Sequence, residues 1–178
     1  MLFAIGRVIG RVLDATQIIA AFLILAMMLH VSADVIMKYG FNMGFPATVE
    51  IVSNYYMVGL AFLPLAFAER MNAHITVEVV TSNLSQKVQD IAQIIAWLLS
   101  IIVYSLLTYR SFLDAQEKRE IGAFLFSQGV RIDIWPSYYF LPVGFALMML
   151  TLAYKLIVFF RPSDDGLSQT RRLEVGSS

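Results

Sequence analysis

Apolar residues run along this chain in four long blocks, interrupted only by single polar side chains. Stretches nearly free of acids and bases cover approximately Ala15–Val35, Ile51–Ala68, Ile91–Tyr109 and Tyr138–Phe160. Each is close to the ~20 residues that a helix needs to cross a bilayer core. The pattern predicts an all-α integral membrane protein with four transmembrane helices and short interfacial segments. No remaining segment is long enough to bury a soluble core of its own.

The flanks and joints refine this division. Residues 1–14, "MLFAIGRVIGRVLD", set apolar positions on one side against Arg7, Arg11 and Asp14, which suits an amphipathic helix lying in the interface. Residues 15–160 form the four-helix domain, and 161–178 form a polar tail whose closing "GSS" reads as an expression remnant. Arg7 and Arg11 before an apolar run, with "VSA" at Val31–Ala33, imitate a secretory leader. The run outlasts the roughly 7–15 apolar residues of such a leader, so a retained span is expected. Gly6 and Gly10 make a Gly-x-x-x-Gly, but the arginine between them weakens it as a dimerisation motif.

Between the first two spans, "KYGFNMGFPATVE" breaks regular structure with Gly40, Asn42, Gly44 and Pro46 while Phe41, Met43 and Phe45 keep it apolar. Pro64 should bend the second span. The connector His74–Val80 is too short for a sheet, and Ser82, Asn83 or Ser85 can cap the third helix. A helix from Leu84 to Glu120 would be about 55 Å long at 1.5 Å per residue. That exceeds a hydrocarbon core of roughly 30 Å, so it should tilt or project. Pro136 suits a first helical turn, Trp135, Tyr138 and Tyr139 form an aromatic belt, and Lys155 can snorkel at the far end.

Composition narrows the function. The chain has 178 residues, 58% hydrophobic and 15% charged, against roughly 25% charged in soluble domains. A formal net charge of zero without a basic stripe gives no footprint for nucleic acid. Without cysteine there is no disulfide, thiolate metal site or cysteine nucleophile. With the N-terminus inside, Arg7, Arg11, Arg70, Lys87, Lys155, Arg161, Arg171 and Arg172 fall on the inner side, and Lys38, Arg110, Lys118, Arg119 and Arg131 on the outer. This bias predicts two cytoplasmic termini.

His30, Asp34 and Lys38 are spaced four apart and form one column at the end of the first span. Ionisable groups at membrane depth suggest a conduction path, but a docking edge or a plain helix end are the competing readings. Asp34 at the boundary can pair with Lys38 one turn on, leaving His30 neutral. Glu50 and Asn54 repeat the spacing at the start of the second span. Nothing continues a relay inward, so these polar groups suit helix or subunit contact. Bis-histidine haem would require two histidines at one depth, and His30 and His74 fall at opposite ends; His30 with Met27 or Met28 is the other conceivable ligand pair, and nothing supports it. The nine methionines read as gap-filling apolar residues. No catalytic or metal-ligating constellation stands out, and no cofactor is expected on this chain.

Several motifs in sequence order resemble the small membrane subunit of TRAP transporters, the DctQ-like family. Lys38–Tyr39 closes the first helix, Phe41–Asn42 leads to Glu50 at the start of the second, and His74–Ile75–Thr76–Val77–Glu78 follows it. Trp135 and Leu141–Pro142–Val143–Gly144 precede or open the fourth. The resemblance covers roughly residues 15–160; one departure is Lys38, where arginine is common and could bind a carboxylate in a planar fork.

The resemblance implies a supporting subunit in the bacterial inner membrane. A large membrane subunit would carry the sodium ions and the substrate, an organic acid such as a dicarboxylate or a sialic acid. A periplasmic binding protein would deliver it, and this chain would help form the docking surface among membrane lipids. Lys38, Glu50, Asn54, Asp34, His74 and Trp135 are then candidate subunit or docking contacts. The alternative is a membrane anchor for a redox complex.

Overall fold

The computed structural model describes residues 2–71 and 86–160. His74, the capping residues Ser82, Asn83 and Ser85, and the tail 161–178 lie outside the described residues. Four long helices account for nearly all of the described chain. Helix α1 is Leu2–Phe41, α2 is the run Thr48–Arg70, α3 is Gln86–Glu120 and α4 is Phe140–Phe160. All four are long and apolar enough to span a membrane.

Helix α1 passes through Asp14, where the sequence suggests a boundary, without a break. No proline interrupts residues 2–41, so the ladder continues from the amphipathic segment into the span. Its 40 residues make it about 60 Å long, twice a hydrocarbon core. Helix α2 is less regular. Its α-helical pieces Thr48–Ile51, Met57–Phe62 and Leu65–Arg70 are separated by a π-helical turn, Val52–Tyr56, and by the break at Pro64. Proline supplies no backbone donor, so the ladder resumes with Ala68 N–H on the Pro64 carbonyl at 2.9 Å.

A feature not predicted from the sequence follows α3. Strands β1, Phe124–Ser127, and β2, Val130–Asp133, pair antiparallel with Phe124 opposite Asp133 and Ser127 opposite Val130. Gln128 and Gly129 turn the chain, both with positive φ (48° and 81°), as a two-residue hairpin turn of the primed kind requires. Gln-Gly in place of Asn-Gly, between strands of only four residues, hides the hairpin in the sequence. A short 3₁₀ turn, Trp135–Tyr139, with proline in its first turn then leads into α4.

The helices pack in the spatial order α1, α2, α4, α3, so α4 lies between α2 and α3. Glycine permits the closest approach: a Cβ at Gly144 would overlap the Phe62 carbonyl of α2. Gly6 lies against the Tyr154 ring and hydroxyl. Gly6 and Gly10 are thus both buried inside this chain.

The tightest core gathers Leu13, Ala66, Met148, Leu152 and Tyr154 near the Arg70 end of α2. Trp97 is half-buried there, edge-to-face on Phe159 with ring centres 5.7 Å apart. Ion pairs among the described residues close that end. Arg70, its side chain 2% exposed, pairs with Asp14 and donates to the Gly10 carbonyl at 3.4 Å. Lys155 reaches Glu69 at 2.7 Å. The successive residues Glu69 and Arg70 therefore tie α2 to α4 and α1, and Lys155 is clamped in the protein where snorkelling was expected.

On the outer flanks, Ile18, Phe22, Leu25 and Leu29 of α1 and Ile95, Leu99, Ile102 and Leu106 of α3 are exposed. These faces require lipid or another membrane chain against them.

Candidate functional site

At the end of the bundle opposite Arg70, four pieces of chain enclose a polar recess of about 380 Å³. They are the last turn of α1, the α1–α2 loop, the first turn of α2 and the hairpin tip. Asp34, Lys38, Asn42, Glu50, Ser127 and Gln128 supply its polar groups.

Asp34 shapes the recess. Its Oδ1 accepts the Phe45 backbone N–H at 2.7 Å, and among the described residues no ion pair joins it to Lys38. This corrects the pairing expected from their spacing, and the magnitudes explain why. A hydrogen bond to a charged group contributes about 1.5–3 kcal/mol, whereas an exposed pair one helical turn apart contributes only about 0.2–0.5 kcal/mol. The carboxylate serves the loop amide first. Gly44 makes this possible, since a Cβ there would lie 3.3 Å from the same Oδ1.

His30 does not continue a polar column. It is edge-to-face with Phe45 and Tyr56, ring centres 6.2 and 5.9 Å away, so the loop folds back over it as aromatic packing. Asn54 also turns inward to its own helix. Its Nδ2 donates to the Glu50 carbonyl at 2.9 Å, beside Ser53 Oγ donating to the same oxygen at 3.3 Å. This happens where the backbone ladder changes to π spacing.

Of the candidate residues, the structure thus brings Asp34, Lys38 and Glu50 to one recess. Asn54 lies one turn away, and His74 lies outside the described residues. Trp135 stands apart at the base of the hairpin, edge-to-face on Tyr139 at 6.4 Å, its backbone N–H donating to the Ala123 carbonyl at 3.3 Å. Three residues escaped the sequence reading. Ser127 and Gln128 reach the recess from the hairpin tip, and the Tyr55 hydroxyl donates to the Asp133 carbonyl, fastening the hairpin to α2. A contact across 78 positions leaves no local signal.

Between the two polar ends, hydroxyls bond to their own helices. Ser105 donates to Ile101, Thr108 to Tyr104, Ser111 to Leu107 and Thr151 to Leu147, at 2.6–2.8 Å to carbonyls one turn back. Ser105 Oγ also lies 3.1 Å from the Met149 thioether of α4, a weak acceptor with no further polar partner beyond it among the described residues. An apolar groove of about 460 Å³ between α3 and α4 has the same character, with Pro142, Val143, Ala146 and Met149 along one wall.

The architecture defines a helical membrane protein whose charged groups gather at its two ends. Residues 27–161 match the family model for the DctQ component of tripartite ATP-independent periplasmic transporters, and the chain belongs to that family. It is also 31% identical over 102 residues to a Haemophilus influenzae protein named as a TRAP transporter small permease protein. That match covers 57% of this chain and 63% of the relative, so the chain spans less than two thirds of the relative's length.

Proposed function

We propose that this chain is the small, non-conducting subunit of a binding-protein-dependent secondary transporter, a scaffold for a larger membrane subunit. The observation that carries this reading is the distribution of polarity. Charged side chains occupy the two ends of the bundle, while hydroxyls within it bond back to their own helices, Ser105 also touching the Met149 thioether across to α4. A carrier needs polar or broken-helix elements near the midplane, whereas the interruptions of α2, at Val52–Tyr56 and Pro64, lie to either side of its middle. Here the larger subunit holds the sodium and organic-acid sites, and the exposed faces of α1 and α3 offer it surface. The Lys38 end faces the periplasm in the inner membrane, both termini are cytoplasmic, and the hairpin rim helps to dock the soluble binding protein. Trp135 stiffens that rim.

Proteoliposomes test the scaffold role. This chain alone should give no sodium-driven uptake of carboxylates, and uptake should appear only with the large subunit and the binding protein. Full uptake by this chain alone would overturn the reading. The absence of native cysteine gives a clean topology assay: Gln128→Cys in intact spheroplasts should react with an impermeant maleimide, and labelling only after lysis would reverse the orientation.

A further inference from the structure

The recess at the Lys38 end has unspent charge. Lys38 is exposed and Glu50 half-buried, both line the same cavity, and among the described residues neither enters an ion pair. Asp34 spends its Oδ1 on the Phe45 amide, and the remaining ammonium and carboxylate on the wall of one cavity suit a ligand that carries both opposite charges. The rim specifies the ligand further. Phe41, Met43 and Val49 are 67%, 65% and 75% exposed, so apolar surface begins where the polar lining ends. The ligand therefore combines a zwitterionic head with an apolar tail. At roughly 30 Å³ per water, the cavity holds about a dozen waters, room for a headgroup and not for a folded peptide.

The backbone around the recess supports a built site. Asn42, Ala47 and Gln128 are the non-glycine residues of positive φ among the described residues, at 57°, 63° and 48°. All three line this cavity. Such conformations are disfavoured for L-residues and gather at ligand sites. Here they bring two chain segments, the α1–α2 loop and the hairpin tip, around one volume.

We propose that this recess binds the headgroup of a phospholipid of the phosphatidylethanolamine class. Lys38 Nζ donates to the phosphate and the Glu50 carboxylate accepts from the primary ammonium. The Gln128 side-chain carbonyl and the Ser127 hydroxyl offer further acceptors for that ammonium. The acyl chains lie against exposed Val49 and Met57 of α2. A quaternary choline head has no N–H to donate to Glu50, and a glycerol head has no positive charge for it. A partner protein would have to bring an acid and a base together under the apolar rim, whereas this headgroup carries both on one tethered unit. The proposal concerns the isolated chain and does not depend on the scaffold reading.

The test is native mass spectrometry of the full chain, purified in mild detergent and equilibrated with equal phosphatidylethanolamine, phosphatidylcholine and phosphatidylglycerol. One phosphatidylethanolamine should be retained per chain, about tenfold over either competitor, the difference expected from a single charge-assisted hydrogen bond. Lys38→Ala and Glu50→Gln should each lower its retention about tenfold, while Lys38→Arg keeps it and shows that the fold tolerates substitution there. Equal retention of the three lipids, a preference for phosphatidylglycerol, or indifference to Lys38→Ala would overturn the proposal. So would displacement by tail-less glycerophosphoethanolamine at equal concentration, which would mark a soluble ligand. A lipid-free wild-type chain whose Lys38→Ala variant no longer co-purifies with a large membrane subunit would give the recess to that protein.

Discussion

Asp34 illustrates how a single side chain chooses between partners. Its spacing from Lys38 is plain in the sequence, but the orphan amide of Phe45 eleven residues on is not. That amide arises only because α1 ends at Phe41 and the loop turns back. Asp34→Ala should therefore cost about 1.5–3 kcal/mol, read as a lowered unfolding midpoint in detergent, while Lys38→Ala should cost less than about 0.5 kcal/mol. Equal losses would restore the ion pair. Gln128 is the converse case, a residue whose backbone its side chain does not favour. Gln128→Asn supplies the residue preferred at this turn position and should stabilise the hairpin by up to about 1 kcal/mol, visible as slower amide exchange at Leu125 and Ile132, a hydrogen-bonded pair of the ladder. Unchanged exchange would mean that the turn carries no strain.

At the scale of elements, the four spans were legible because apolar runs of this length have few alternatives in a chain with so little charge. Their ends were less so. Asp14 reads as a boundary by its charge, yet it sits within α1 because Arg70 of another helix meets it there. The irregularities of α2 divide in the same way. Pro64 announces its break, whereas no residue type announces a π turn at Val52–Tyr56. The contact of α2 with α4 rests on a missing side chain. Gly144→Ala would push a methyl group into the Phe62 carbonyl, which as backbone cannot rotate away. A loss of about 1–3 kcal/mol is expected. Gly59→Ala should cost less, since the atom it meets is the flexible end of Leu23, 2.9 Å from the new Cβ. Equal destabilisation of the two variants would contradict this ranking.

The whole molecule is held differently at its two ends. The Arg70 end is closed by ion pairs that draw three helices together, and the core lies beside them. The Lys38 end is held by a loop hydrogen bond and the Tyr55–hairpin contact around an open recess. Polar groups at helix ends with none leading inward could be read from the sequence, and so could the grouping of Lys38 with Glu50. The partners of Arg70 and Lys155 could not, because tertiary pairing across 56 and 86 positions follows from the packing order of the helices. Asp14→Ala leaves the Arg70 guanidinium, with a side chain 2% exposed, without its carboxylate. Removing one partner of such a pair costs about 3–5 kcal/mol, so this variant should be the least stable of those named here. Removing both partners, Asp14→Ala with Arg70→Met, should recover much of the loss in the same unfolding measurement. No recovery would show that the two side chains act separately.

The π turn in α2 also bears on how this chain can change length. Such a turn holds one residue more than the α-helix around it, and the pieces on either side already face α1 and α4 correctly. Deleting a single codon within Val52–Tyr56 would relax the turn to α-helix and leave both pieces in phase. The same deletion within Met57–Phe62 would rotate everything beyond it by about 100°, carrying Glu69 and Arg70 away from Lys155 and Asp14. The helix has a place where a residue can be lost without unmaking the bundle, and relatives shorter by one residue should lack it there.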